Sequence, residues 1–160
     1  MKVLSGGQTG VDRAAWDAAL AVGLEQDGWV PKGRLAEDGT ISNKYRCREI
    51  STPSFPERNK KNVQEGDITL VIGFGIPGGG TSLTLELCRS LKKPNLWIDL
   101  DRHSNLKAVE LALGFIHKHQ PQKLNIAGPR ASYRSDIYPK AYFFLHQLLG
   151  KFSMRITDHL

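Results

Sequence analysis

The chain has 160 residues, a length that fits one compact domain. Hydrophobic residues make up 40% and charged residues 24%, which excludes a disordered chain. No apolar run reaches the roughly 18–20 residues of a membrane span. The 22 basic and 16 acidic residues leave a net charge of +6. Two cysteines, Cys47 and Cys88, have no metal-ligand spacing and build no disulfide framework. With no signal-peptide profile at the N-terminus, the expected setting is a reduced, cytoplasmic one.

In chain order, Lys2–Ser5 is a short apolar strand that runs into Gly6-Gly7-Gln8-Thr9-Gly10. Val11, Ala15, Ala18 and Val22 then form one stripe of an amphipathic helix, and Gly23 stands where a left-handed cap belongs. Trp29-Val30 is a weak second strand, ended by Pro31. Residues 31–61 are polar, carry Pro53 and Pro56, and read as loop with one short strand near Cys47–Ile50. Residues 32–61 also hold eight basic against four acidic side chains, a solvated basic face or an anion-binding one.

Ile68–Ile72 is the clearest strand, apolar except for Thr69, as a strand covered on both faces would be. It ends in the glycine-rich segment 73–80. The next helix carries Leu83, Leu87 and Leu91, and Pro94 stops it. Asn95–Asp99 is a strand, and Ser104 caps a helix with Leu106, Val109, Leu113 and Ile116 on one stripe. Leu124–Ala127 is the last strand, closed by Gly128-Pro129-Arg130. Pro139 suits the first turn of a final helix. The alternation predicts a single doubly wound α/β domain over residues 1–150, with a mainly parallel sheet flanked by helices. Residues 151–160 read as a C-terminal tail.

In such sheets a ligand lies beyond the carboxyl ends of the strands. Loops 6–10 and 73–80 both sit there, each before a helix, where backbone amides can receive an anion such as phosphate. Thr9 and Thr81 add hydroxyls, and Arg13 could pair with a phosphate bidentately. Loops 6–10 and 78–81 are expected to face one another across one cleft, their strands adjacent in the sheet. Asp12 is either a helix N-terminal charge or a contact to the ligand; its pKa is expected to stay low. The five histidines are scattered, so neither a zinc site nor a histidine-based triad is expected. Cys47, between Arg46 and Arg48, has either a depressed pKa or that of an ordinary strand thiol.

Ser5-Gly6-Gly7-Gln8-Thr9-Gly10-Val11-Asp12-Arg13 resembles the opening of the putative molybdenum carrier family, proteins similar to molybdenum-cofactor carriers. The likeness continues through Gly28–Arg34, Ala36–Gly39, Arg58, Asn62-Val63, Asp67–Leu70, Gly79-Gly80-Thr81 and Leu124–Arg130. Arg58-Asn59 stands where that family usually has an arginine-threonine pair. The resemblance implies a Rossmann-like fold, in a group that also holds cytokinin-activating phosphoribohydrolases. Those hydrolases carry P-G-G-x-G-T-x-x-E. Here Glu86 follows Thr81 by five positions rather than three, a rotation of about 160° away from the hydrolase position. Glu86 is therefore expected at the helix–sheet interface or in solvent.

The resemblance further implies molybdenum cofactor (molybdopterin) as a carried ligand, an anionic phosphorylated molecule. Gly6, Gly7, Gln8, Thr9, Gly10, Asp12 and Arg13 would bind it from the first loop, and Gly78, Gly79, Gly80 and Thr81 from the second. Lys32, Gly33 and Arg34 would meet the anionic head or act as a lid, and Arg130 would close the far side. Binding, carriage or storage needs no general base, no catalytic residue and no metal ligand from the protein. The alternatives are a nucleoside-phosphate hydrolase and a nucleotide-sensing or nucleic-acid-binding module, the last resting on the basic segment. A molybdoenzyme or cofactor-synthesis partner and a homo-oligomer fit the carrier reading, and a membrane does not.

Overall fold

The computed structural model describes residues 1–157, with side chains through Ser153. Five parallel strands form the central sheet: β1 (Lys2–Leu4), β2 (Glu25–Asp27), β7 (Ile68–Gly73), β8 (Asn95–Asp99) and β9 (Lys123–Ala127). Their order is β2-β1-β9-β7-β8. Val3 stands opposite Leu124, and Leu70 stands opposite both Ile126 and Leu96. The small strands between β2 and β7 pair apart from this sheet. β3 (Trp29–Val30) joins β6 (Arg48–Glu49), and β4 (Leu35–Ala36) joins β5 (Gly39–Thr40) in a hairpin.

Every residue of β7 is buried, because helices cover both of its faces. Leu70, Ile72, Leu124 and Ile126 belong to the main core with residues of α1 (Val11–Ala21), α4 (Asn105–His119) and α5 (Ile137–Thr157). The alternate residues Thr69 and Asn125 point the other way and share a hydrogen bond of 3.2 Å. That face is covered by α2 (Phe55–Glu65) and α3 (Gly79–Ser90), which pack on each other. A second, smaller core joins Trp16, Val30, Ile41 and Tyr45.

Starting the count at β9 gives β9, β1, β2, β7, β8, and the spatial order then reads 3-2-1-4-5, that of a Rossmann sheet. The chain thus opens such a sheet between α4 and β9. The reversal of strand order falls between β9 and β7.

Several expectations need correction. β2 is a strand that no apolar pattern announces; Gln26 and Asp27 are buried in it. Residues 55–61, expected as loop, belong to the helix Phe55–Glu65: the Ser54 hydroxyl accepts from the Glu57 amide, and Pro56 fits the first turn, where its missing N–H costs nothing. The strands before the two glycine loops are not adjacent, since β9 lies between β1 and β7. Residues 151–157 continue α5 rather than forming a tail: Phe152 packs against the core, and the Ser153 hydroxyl donates to the Val22 carbonyl at 2.9 Å. The rest of the expected tail, 158–160, lies outside the described residues. Among the described residues no helix is long and apolar enough to cross a membrane.

Candidate ligand-binding cleft

The carboxyl ends of β1, β9 and β7 open onto one cleft made of connected hollows. The polar hollow, about 60 Å³, takes Gln8 from the first loop, Asp12 from the first turn of α1, Arg58 and Asn59 from α2, Gly80 and Thr81 from α3, and Arg130 from the loop after β9. A narrower recess leads inward between Gly6, Asn62, Thr84 and Asn125. Beside them lies a wider, largely apolar hollow of about 320 Å³, which shares Thr81, Pro129 and Tyr133 with the polar one.

The polar hollow is organised by an ion pair. Arg58 Nη1 donates to Asp12 Oδ2 at 2.9 Å, and both residues are only 5% exposed. Gly6 makes this approach feasible, since a Cβ there would fall 1.5 Å from Arg58 Nη1. The Gln8 amide also donates to Asp12 Oδ2, at 3.3 Å. Burial pushes the Asp12 carboxyl above its ordinary value and the Arg58 guanidinium below its own, while their mutual attraction opposes both shifts. The low pKa expected of a helix N-terminal acid is therefore not found, because desolvation outweighs the pull of Arg58 and the Gln8 amide.

Two donors remain without acceptors here. Among the described residues, Gln8 Nε2 and Arg58 Nε are buried and find no hydrogen-bond partner, although both residues line the polar hollow. An unmade hydrogen bond on a buried donor costs roughly 1–3 kcal/mol. The Oε1 end of Gln8 is fixed by the Thr9 amide at 3.0 Å and the Glu37 amide at 2.8 Å, so the amide group cannot turn to relieve its nitrogen.

Three backbone amides at the first glycine loop are engaged within the protein. The Gln8, Thr9 and Val11 amides are taken by Asp12, by the Gln8 side chain and by the Pro129 carbonyl. Gly10, at φ +80°, lets the loop meet the Pro129 carbonyl, which a Cβ would strike at 2.4 Å. Gly7 offers its carbonyl to Arg13 Nε and Nη2, at 3.2 and 3.0 Å. The other end of Arg13 is held by both Asp38 oxygens, at 3.1 and 3.2 Å. Arg13 thus ties α1 to the β4–β5 hairpin and lines none of the hollows.

The second loop does line the cleft. Gly78 caps α3, Gly79 takes φ +52°, and Gly78, Gly79 and Thr81 border the apolar hollow while Gly80 and Thr81 border the polar one. The Thr81 and Ser82 amides turn onto the Gly78 carbonyl.

Lys32, Gly33 and Arg34 lie outside the cleft. Lys32 is exposed, and the Gly33 amide donates to Glu49 Oε1 at 2.7 Å. Arg34 spreads over the Ile41, Ser42 and Tyr45 carbonyls and reaches Cys47 Sγ at 2.8 Å, which folds its own loop. Burial pushes the Cys47 thiol up against the pull of Arg34, so no depressed pKa arises there. Arg130 is half-buried and faces the Phe55 ring, with Glu37 at 3.8 Å. Thr9 Oγ1 donates to Glu37, whose carboxylate also receives the Ser132 amide at 3.1 Å and hydroxyl at 2.7 Å. This latches the hairpin across the loops after β1 and β9. Glu86 is exposed and lines no part of the cleft.

Arg58, Asn59 and Phe55 come from the helix that periodicity does not reveal, and Phe74, Trp97, Tyr133 and Arg134 were equally unmarked as site residues. A signal for the first group was present: Ser54 followed three positions later by Glu57 is the start pattern of a helix that would carry Arg58.

The parallel sheet, its strand order and a cleft at the β9/β7 reversal define a Rossmann-like domain with a permuted chain. Residues 3–149 match the circularly permutated YpsA SLOG family, and the chain belongs to that family. It is similar to the crystal structure of a putative molybdenum carrier protein from Syntrophus aciditrophicus, with 45% identity over 92% of this chain and 94% of that one, at a TM-score of 0.90. No curated protein shows a significant match.

Proposed function

We propose that the protein binds and carries an anionic phosphorylated cofactor in this cleft, with molybdenum cofactor as the candidate ligand. The observation that carries the reading is the pair of buried, acceptor-free donors, Gln8 Nε2 and Arg58 Nε, on one polar hollow. A phosphate brings the acceptor oxygens that these donors lack, and Arg130 at the rim adds charge. The similar protein named as a molybdenum carrier supports the choice of cargo. Gln8, Arg58, Gly80, Thr81 and Arg130 are the residues assigned to the phosphate, with Asp12 holding the Arg58 guanidinium in place for it. In the test, molybdenum cofactor is incubated with the protein. Its oxidation should slow, and it should be released unchanged. Equal decay with and without protein contradicts the proposal.

A second reading, hydrolysis of a nucleoside monophosphate, is favoured by one feature. Asp12 is a buried acid on the cleft with a raised pKa, a pattern found at many catalytic sites. Against it, the Asp12 Oδ2 atom already receives Arg58 and the Gln8 amide, which leaves it a structural acceptor. Nucleoside monophosphates should release no free base above the uncatalysed rate. Release that vanishes in Asp12→Asn would replace carriage by hydrolysis.

A further inference from the structure

We infer that Ile76-Pro77 is the tip of a glycine-hinged lid, which closes over the apolar hollow once cargo lies in the cleft. The inference rests on the carriage reading above and adds how bound cargo is kept from water.

The tip lies in the loop between β7 and α3, and the chain is anchored on either side of it. Before the tip, the Gly75 amide donates to Asp99 Oδ1 at 3.1 Å. Asp99 is only 5% exposed and also takes the Asp101 amide at 2.9 Å, which makes it a fixed post. After the tip, the Gly78 carbonyl accepts the Thr81 and Ser82 amides at 3.1 and 3.4 Å. Among the described residues, Ile76 and Pro77 between these anchors make no hydrogen bond.

The glycines around the tip are not required by close packing. A Cβ at Gly75 or Gly78 would meet nothing within 4 Å, so what these residues supply is backbone freedom. Gly75 and Gly79 use that freedom already, at φ +85° and +52°. Ile76 precedes a proline and is biased to extended backbone, so the tip swings as one stiff piece between flexible ones.

Ile76 borders the apolar hollow and is nevertheless 97% exposed. Tyr133 borders the same hollow at 61% exposure, and its hydroxyl lies 3.0 Å from where a Gly79 Cβ would stand, beside the hinge. Inward movement of the tip would take both side chains out of water, and that apolar burial is the driving force for closure. The neighbouring walls are fixed. Trp97 lies against Gly73, where a Cβ would come 1.8 Å from its Cη2 atom. The Phe74 ring stands 5.1 Å from the Arg134 guanidinium, which Asp101 holds at 2.6 and 3.1 Å. Closing the tip over an empty hollow of about 320 Å³ would leave it few atoms to touch. Cargo supplies those atoms, so closure is coupled to occupancy.

The test uses the full chain with molybdenum cofactor and, separately, with inorganic phosphate, which carries nothing to fill the apolar hollow. Cofactor should slow amide exchange at Ile76 about tenfold or more, and phosphate should leave it within about twofold. Ile76→Ser should release cofactor about tenfold faster than the parent, Ile76→Leu within about threefold of it, and phosphate affinity should change in neither. Cofactor that binds, yet leaves exchange at Ile76 unaltered and departs from Ile76→Ser at the parent rate, would overturn the lid while carriage stands. Cofactor that fails to bind would overturn the carriage reading and the lid with it.

Discussion

Gly6 and Arg58 occupy what would otherwise be the same space: the Arg58 guanidinium lies where a residue-6 side chain would begin, with Nη1 1.5 Å from the ideal Cβ position. The fifty-odd residues of chain between them are folded so that a missing methyl admits a buried charge. Gly6→Ala should push the guanidinium off Asp12 and leave two buried charges poorly paired, at a cost of about 3–5 kcal/mol. Urea unfolding measures this, and a midpoint equal to that of the parent would contradict it.

Arg13 and Arg130 should behave as opposites. Arg13 is committed to Asp38 and the Gly7 carbonyl, so Arg13→Ala should cost about 1 kcal/mol of stability and leave phosphate-ester affinity unchanged. Arg130 borders the polar hollow, so Arg130→Ala should weaken phosphate-ester binding about tenfold at nearly constant stability. Calorimetric titration beside thermal melting separates the two. A large affinity loss in Arg13→Ala would restore that arginine to the site.

Acid should weaken the fold through Glu65. Burial alone would raise its carboxyl, but Arg48 at 2.8 Å, Trp29 Nε1 at 2.6 Å and Lys123 at 3.2 Å hold it down at about 2, against an ordinary 4.5. A depressed folded-state pKa adds stability that is fully present above the unfolded value and is lost as pH falls from 4.5 toward about 2. Glu65→Gln should therefore be less stable than the parent at neutral pH by on the order of 2 kcal/mol, with the gap closing across that acid window. A gap of constant size at all pH values would show that packing, not ionisation, is lost.

Glu37 sets how firmly the β4–β5 hairpin is latched over the loops after β1 and β9. In Glu37→Ala the Ser132 amide loses its acceptor, and amide exchange at Ser132 should speed up by about tenfold or more. Global stability should change by only about 1 kcal/mol, because the latch is at the surface. Unchanged exchange at Ser132 would mean that the loop is held by its other contacts alone.

Much of the scaffold was legible from local pattern. The apolar run Ile68–Ile72 became the doubly covered strand β7, and Ser104 caps α4 by accepting the Lys107 amide. Gly23 closes α1 at φ +77°. These features depend on neighbours a few positions away, and residue type reports them directly. α2 escaped because its buried face is Arg58, Asn62 and Val63, two polar residues and one apolar, so no hydrophobic stripe exists to be counted. β2 escaped for the same reason, with Gln26 and Asp27 buried where alternating apolar residues would be expected.

Local residue pattern is enough for the class of fold, the two glycine turns and the loops at which a ligand could be met. Which charges remain available to that ligand depends on packing between distant elements. Arg13, adjacent to the first loop, is neutralised by Asp38 from a distant hairpin, whereas Arg58, 46 positions from Asp12, is brought into the cleft and left with a free donor. The reason is that periodicity and turn chemistry report a residue's own element and exposure. The partner of a long charged side chain depends on which strands lie side by side, and here that means β9 inserted between β1 and β7.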